Sequence, residues 1–370
     1  MLHIKGEIKP GDRLVTRVGT KIDNLKRLAS MFAGEYQATH SNLPHGDAQT
    51  ELLRLSPSIT ANMCNELPES TDELENQMED CGFLLVRNGF PLDEDKIVQL
   101  MGGSENLIDY GHGLNARAKV PSSIFSYVTP WSEELDILPH NELSHHIEFP
   151  RYVCFMCKQP AQYGGETTIY DCEKAFASLS PTSQQAALEK SIIFVRKHVG
   201  RRNHKKYSSC WQDISAKTGQ EAMGHWLKLG YHCSLSYEHE DGELVEVLET
   251  QMKRPLAYWY KGKPCLHASI VGAASYWYQQ VPGKQAPQMQ VMWEGGEALI
   301  EAQFREMEKA IKSARIFYCA QWQTHDLLIL DNLRISHGRL PFLGKRLVGL
   351  LMGGKAHFEA KSGRWIGQHS

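Results

Sequence analysis

The chain has 370 residues, 42% hydrophobic and 22% charged, with a formal net charge of −3. That length allows one large domain or two small ones, with apolar material for a sizeable core. The near-balanced charge argues against bulk binding to nucleic acid or anionic membrane, and the apolar stretches fall short of a membrane span.

The N-terminus, Met1-Leu2-His3-Ile4-Lys5-Gly6-Glu7, lacks the apolar run of a signal peptide, so a cytoplasmic location is expected. Residues 1–45 alternate basic and polar positions and read as an N-terminal extension. Thr71 to Asp80 is acidic and helix-like and leads into a strand after Gly82. Pro91-Leu92-Asp93-Glu94 reads as a turn opening a helix. Asn115 to Trp131 is a polar, turn-rich loop. In the apolar strand that follows, Cys154-Phe155-Met156-Cys157 has C-x-x-C spacing. No second such pair completes a zinc site, so buried reduced thiols are expected.

Asp171 is a plausible N-cap for a helix over Glu173 to Leu179 that stops near Pro181, with another over Gln184 to Lys190. Val195 to Trp211 carries Arg196, Lys197, Arg201, Arg202, His204, Lys205 and Lys206. A solvated strand and loop is favoured there over a patch for an acidic partner. Asp241-Gly242 marks a hairpin turn, Gly295 to Lys312 an amphipathic helix, and Leu347 to Met352 a buried strand.

Two segments carry the chemistry. One is His140-Asn141-Glu142; the other is His337 in Asp331-Asn332-Leu333-Arg334-Ile335-Ser336-His337-Gly338-Arg339. On one strand, residues i and i+2 project to the same side, so His140 and Glu142 could grip one ion together. Two histidines and a carboxylate on one face of a metal form the facial triad of non-haem Fe(II) oxygenases, with the opposite face open. H-x-E alone is a weak signal, since seventeen histidines and forty-three acids produce such triplets by chance.

Four ordered segments strengthen it: Cys81 to Pro91; Leu138 to Cys157; Gly164-Gly165-Glu166-Thr167-Thr168-Ile169-Tyr170-Asp171; and Asp326 to Asn332 followed by His337-Gly338-Arg339-Leu340-Pro341-Phe342. In these the chain resembles the TauD/TfdA group of Fe(II)- and 2-oxoglutarate-dependent dioxygenases, in particular its SyrP-like branch, from about Gly82 to the C-terminus. Thr218 to Lys228 is similar to that group's inserted helical segment. The resemblance implies a mainly β fold with flanking helices, a double-stranded β-helix (jelly-roll) core, and a dioxygenase domain over 46–370.

The resemblance also implies roles. His140, Glu142 and His337 would bind Fe(II). Thr167 and Arg346 would receive the distal carboxylate of 2-oxoglutarate, Arg346 through the paired hydrogen bonds that a guanidinium offers. Arg339 is the alternative arginine. Relatives that halogenate lack the carboxylate ligand, so Glu142 favours hydroxylation, or a related oxidation such as desaturation, cyclisation or rearrangement. Dioxygen and 2-oxoglutarate would be consumed, with release of succinate and CO2.

The expected substrate is a small amino-acid-like metabolite, free or tethered to a carrier protein, in specialised metabolism. Pocket candidates are Tyr110, Asn115, Arg117, Asn141, Ser144, His145, His146 and Arg334. Adjacent strand residues face opposite ways, which argues against His145 and His146 as joint extra ligands. Where relatives often have W-F-N, this chain has Cys265-Leu266-His267. A jelly-roll binding protein without catalysis is the remaining alternative, and the intact ligand set argues against it.

Overall fold

Leu327-Leu328-Ile329-Leu330 is apolar at every position because both faces of its strand are covered. In the computed structural model Leu328 and Leu330 point into one core and Leu327 and Ile329 into another. The structure describes residues 62–108, 117–128, 133, 137–161, 163–200, 209–240, 242–271, 290–296, 301–318, 322–340, 342–359 and 364–367. The N-terminal extension, Tyr110 and Asn115 lie outside these residues.

The same alternation runs through the centre of the largest sheet, whose neighbouring strands are Phe83–Val86, Leu327–Asp331, Glu148–Gln159 and Leu347–Glu359, all antiparallel. Phe83, Leu85, Val153, Phe155, Val348 and Leu350 face the inner core. Leu84, Val86, Cys154 and Met156 face an outer core closed by Leu74, Met78, Ile97 and Leu100. Those four lie on helices Thr71–Met78 and Glu94–Leu100, capped by Ser70 and Asp93. A bidentate Arg87–Asp326 pair, at 2.9 and 2.7 Å, ties the ends of two central strands.

The inner core is closed on its other side by a second antiparallel sheet, ordered Arg315–Tyr318, Thr167–Asp171, Ile335–Arg339, Ile137–His140. Ile169 and Ile335 come from this sheet and pack among the side chains of the first. Two antiparallel sheets face to face, with helices outside, make the jelly roll. A third sheet, ordered His232–Glu240, Glu243–Pro255, Ser191–Val199, Gln290–Trp293, carries its own core around Trp211, Trp226 and Val247. Helix Gly219–Lys228 packs on it.

Helix Glu301–Ser313 buries Phe304, Met307, Ala310 and Ile311, the amphipathic stripe read from sequence. The strands on either side of the expected turn pair as a hairpin, with Glu240 opposite Glu243, while Asp241 itself lies outside the described residues. Asp171 caps helix Cys172–Ala177 as expected. The next helix differs from the reading: it is Pro181–Glu189, with Pro181 in its first turn and Ser180 as cap. Proline fits there because a first-turn N–H has no helical partner. Arg196 also departs from the solvated reading: it lies buried on strand Ser191–Val199. Cys154 and Cys157 are buried free thiols. Among the described residues no helix is long and apolar enough to cross a membrane.

Candidate metal centre

Strands Ile335–Arg339 and Ile137–His140 pair antiparallel, and His337 lies directly opposite His140. Directly paired residues project to the same face, which brings the two imidazoles together with ring centroids 4.4 Å apart. Gly338 makes this approach possible: a Cβ there would lie 2.4 Å from the Ile137 carbonyl oxygen and 2.8 Å from Thr168 Oγ1.

Glu142 reaches the same point by a different route from the one read in the sequence. The strand ends at His140, and Glu142 sits in the turn that follows, with Leu143 at φ +53°. The turn, not an i, i+2 strand alternation, aims the carboxylate. His145 and His146 share that turn, so they do not face opposite ways; their rings lie 4.4 Å apart.

The turn is clamped by Asn332, a fully buried residue at the end of the motif Leu328 to Asn332. The Glu142 N–H donates to Asn332 Oδ1 at 2.8 Å, and Asn332 Nδ2 donates to the carbonyls of Glu142 at 3.1 Å and Pro150 at 2.8 Å. Arg254 adds a second clamp: its guanidinium donates to the Ser144 carbonyl at 3.2 Å and to the carbonyl of His146. Neither role was read from sequence. Asn332 ends the Asp326 to Asn332 segment, but its partners Glu142 and Pro150 are far along the chain.

Glu142 Oε2 is 3.7 Å from His140 Nε2 and 3.5 Å from His337 Nε2. Candidate ligand atoms of the three residues all lie within 4.8 Å of one another. Burial pushes the Glu142 carboxyl up, but the Arg117 guanidinium and the two imidazoles overcome this and hold it well below the usual range. Burial, then repulsion from His140, lowers His337 to about 4 despite the Glu142 carboxylate. A carboxylate and a neutral His337 imidazole are the protonation states that a metal requires. Leu138 O, 2.9 Å from His140 Nδ1, sets the tautomer that leaves the Nε2 lone pair facing the carboxylate. The donor set therefore fits a divalent iron ion.

Thr167 lies opposite Arg339 in the same sheet and is buried. Arg339 shares its strand face with His337. Arg339 and Arg346 both lie against the Phe342 ring, at 4.8 and 5.9 Å, and Arg346 Nε donates to the Gly165 carbonyl at 3.0 Å. Gly165, at φ +77°, admits that contact, since a Cβ there would lie 2.8 Å from Arg346 Cδ. Beside them, burial raises the Glu166 carboxyl to about 7, against the pull of Arg346.

Of the other pocket candidates, Arg117 is drawn to the centre: its Nη2 lies 3.1 Å from Glu142 Oε1. Asn141 Nδ2 is spent on the carbonyl of Asn332 at 2.9 Å, and Ser144 Oγ on Ser269 Oγ at 2.5 Å. His146 Nδ1 meets the Tyr231 hydroxyl at 3.2 Å, and His145 Nε2 faces Arg196 at 3.5 Å. Arg334 is not brought to the metal face; it donates to the carbonyls of Glu79 and Asp80 and to Asp171.

Residues 55–352 match the family described as taurine catabolism dioxygenase TauD, TfdA family. The chain is 24% identical over 292 residues to the dapdiamide synthesis protein DdaC of Enterobacter agglomerans, covering 74% of this chain and 83% of DdaC. Among solved structures it is similar to a taurine dioxygenase from Burkholderia xenovorans, with TM-score 0.45, 11% identity, and 80% and 84% of the two chains covered. It is also similar to PvcB, an Fe, alpha-ketoglutarate-dependent oxygenase from an isonitrile synthetic pathway, with TM-score 0.40, 14% identity, and 81% and 83% covered. With the family match spanning most of its length, the chain belongs to the TauD/TfdA family of dioxygenases.

Proposed function

We propose that this Fe(II)- and 2-oxoglutarate-dependent dioxygenase hydroxylates an unactivated C–H of a small amino-acid-like metabolite, free or carrier-tethered, as a SyrP-like member of the family. His140, Glu142 and His337 hold the iron in this reading, and Thr167 and Arg346 receive the distal carboxylate of 2-oxoglutarate. The observation that carries it is the convergence of two imidazoles and one carboxylate within 4.8 Å. Iron, when bound, supplies dioxygen activation coupled to decarboxylation of 2-oxoglutarate.

The protein's part is to hold donors and position reactants. Leu138 and Asn332 fix His140 and Glu142. Phe155 packs edge-on against the His337 ring at 4.9 Å and keeps that side dry. Arg346, steadied by Gly165 and Phe342, offers its planar fork to a carboxylate. Glu142 occupies the place that a halide would need, which supports hydroxylation over halogenation. The role in dapdiamide synthesis carried by DdaC's name supports a biosynthetic setting. A reducing cytoplasm suits both an Fe(II) site and the free cysteines of the described residues.

The test is anaerobic titration of metal-free protein with Fe(II) and 2-oxoglutarate, read by the weak visible charge-transfer band of the chelate. The band is expected in the native protein and should vanish in His337→Ala and weaken in Arg346→Ala. Folded, iron-loaded protein without the band would overturn the reading. Succinate release then screens substrates, and product analysis separates hydroxylation from desaturation, cyclisation or rearrangement.

A further inference from the structure

The two oxygens of Glu142 have different partners. Oε2 faces both imidazoles, at 3.7 and 3.5 Å. Oε1 takes Arg117 Nη2 at 3.1 Å, and the two side chains are only 4% and 5% exposed. We infer that Arg117 is a positioning residue that holds Glu142 as a one-oxygen metal ligand. This rests on the reading of the triad as the iron site.

The argument is one of coordination positions. Two imidazoles and one carboxylate oxygen occupy one face of an octahedral ion and leave the opposite face open. A keto acid chelating through two oxygens leaves one position on that face. If Glu142 bound through both oxygens, that last position would be lost. Asn332 clamps the Glu142 backbone on both sides, so the remaining freedom is rotation of the side chain. A charge-assisted hydrogen bond to Oε1, shielded from water, opposes that rotation. Breaking it strands a buried charge, which is costly. The sequence reading of Arg117 as a substrate contact makes a different prediction: its loss would weaken substrate binding and leave the metal and 2-oxoglutarate untouched.

The test uses full-length protein loaded anaerobically with Co(II), whose visible spectrum reports coordination, and titrated with 2-oxoglutarate. Arg117→Gln and Arg117→Met are compared with wild type, and Arg117→Lys restores the charge. Circular dichroism establishes which variants fold, and either neutral variant suffices. The neutral variants are expected to bind Co(II) with a shifted spectrum and to lose about tenfold or more in 2-oxoglutarate affinity. Arg117→Lys should recover part of both. An unchanged Co(II) spectrum and unchanged 2-oxoglutarate affinity in the neutral variants would overturn the inference while leaving the iron site intact. Wild-type protein that binds neither Co(II) nor 2-oxoglutarate would overturn the site reading and this inference with it.

Discussion

Replacing Asn332 by alanine is expected to loosen the turn that carries Glu142 and to destabilise the whole domain. The side chain is fully buried and makes three hydrogen bonds, at 2.8, 3.1 and 2.8 Å, two to Glu142 and one to Pro150. Each is worth about 1 kcal/mol net, and an abandoned buried partner costs about 1–3 kcal/mol. Alanine abandons one N–H and two carbonyls and leaves a small void. We expect a loss of about 3–5 kcal/mol, at the upper end for a single substitution. The assay is urea unfolding of metal-free protein, where the midpoint should fall with little change in slope. The freed turn should also weaken Co(II) binding by about tenfold to a hundredfold, as loss of an outer partner typically does. A loss under about 1 kcal/mol with unchanged metal affinity would refute the clamp.

Three further outcomes follow. Gly338→Ala should force apart the strands that oppose His337 and His140, since its Cβ would meet the Ile137 carbonyl oxygen at 2.4 Å. A cost of about 1–3 kcal/mol and loss of Co(II) binding are expected by thermal melting and titration. Arg334→Ala should lower stability by about 2 kcal/mol in urea while leaving KM unchanged, because its guanidinium serves Glu79, Asp80 and Asp171. Stability should fall as pH drops below about 6.5. Burial, then Arg254, lowers His267 to about 3, and burial, then Arg196, holds His198 well down. The unfolded chain takes those protons from about pH 6.5 while the folded chain refuses them, so each histidine contributes about 1.4 kcal/mol per pH unit between its folded value and 6.5. In His267→Phe, the dependence of urea-derived stability on pH should be shallower by one proton; an unchanged slope would show that His267 titrates normally in the fold.

The core strands were legible because the large sheet is covered on both sides. That demands unbroken apolar runs such as Phe83–Val86 and Leu327 to Leu330. The helix capped by Asp171 was legible for local reasons, whereas the helix capped by Thr218 was read only through the family resemblance. The triad residues were readable as residue types with a known chemistry, but how they meet was not. That Glu142 arrives from a turn depends on Asn332, whose partner lies on a different strand connection. Arg196 was misread because charge normally marks a solvated surface, whereas here the residue is packed beside His145. The first helix does stop before Pro181, but the start of the next was read late, at Gln184, because proline disfavours helix interiors yet is welcome in a first turn.

The distribution of spent polar groups indicates which side of the His140, Glu142 and His337 cluster is open. Asn141, Ser144 and Arg254 are engaged in holding the turn, and Phe155 closes the His337 side. The His337 and Glu142 side chains are each only 5% exposed, whereas that of His140 is 29% exposed. Among the described residues the triad is therefore open at His140, the edge from which a small molecule would approach. A histidine-acylating reagent makes this measurable. In metal-free protein at neutral pH, His140 should be modified well before His337, because its side chain is the more exposed and its Nδ1 is engaged with the Leu138 carbonyl. Added Co(II) should protect it by occupying that same nitrogen. Peptide mass spectrometry reads both effects. Equal modification of the two histidines, or no protection by metal, would place the open side elsewhere.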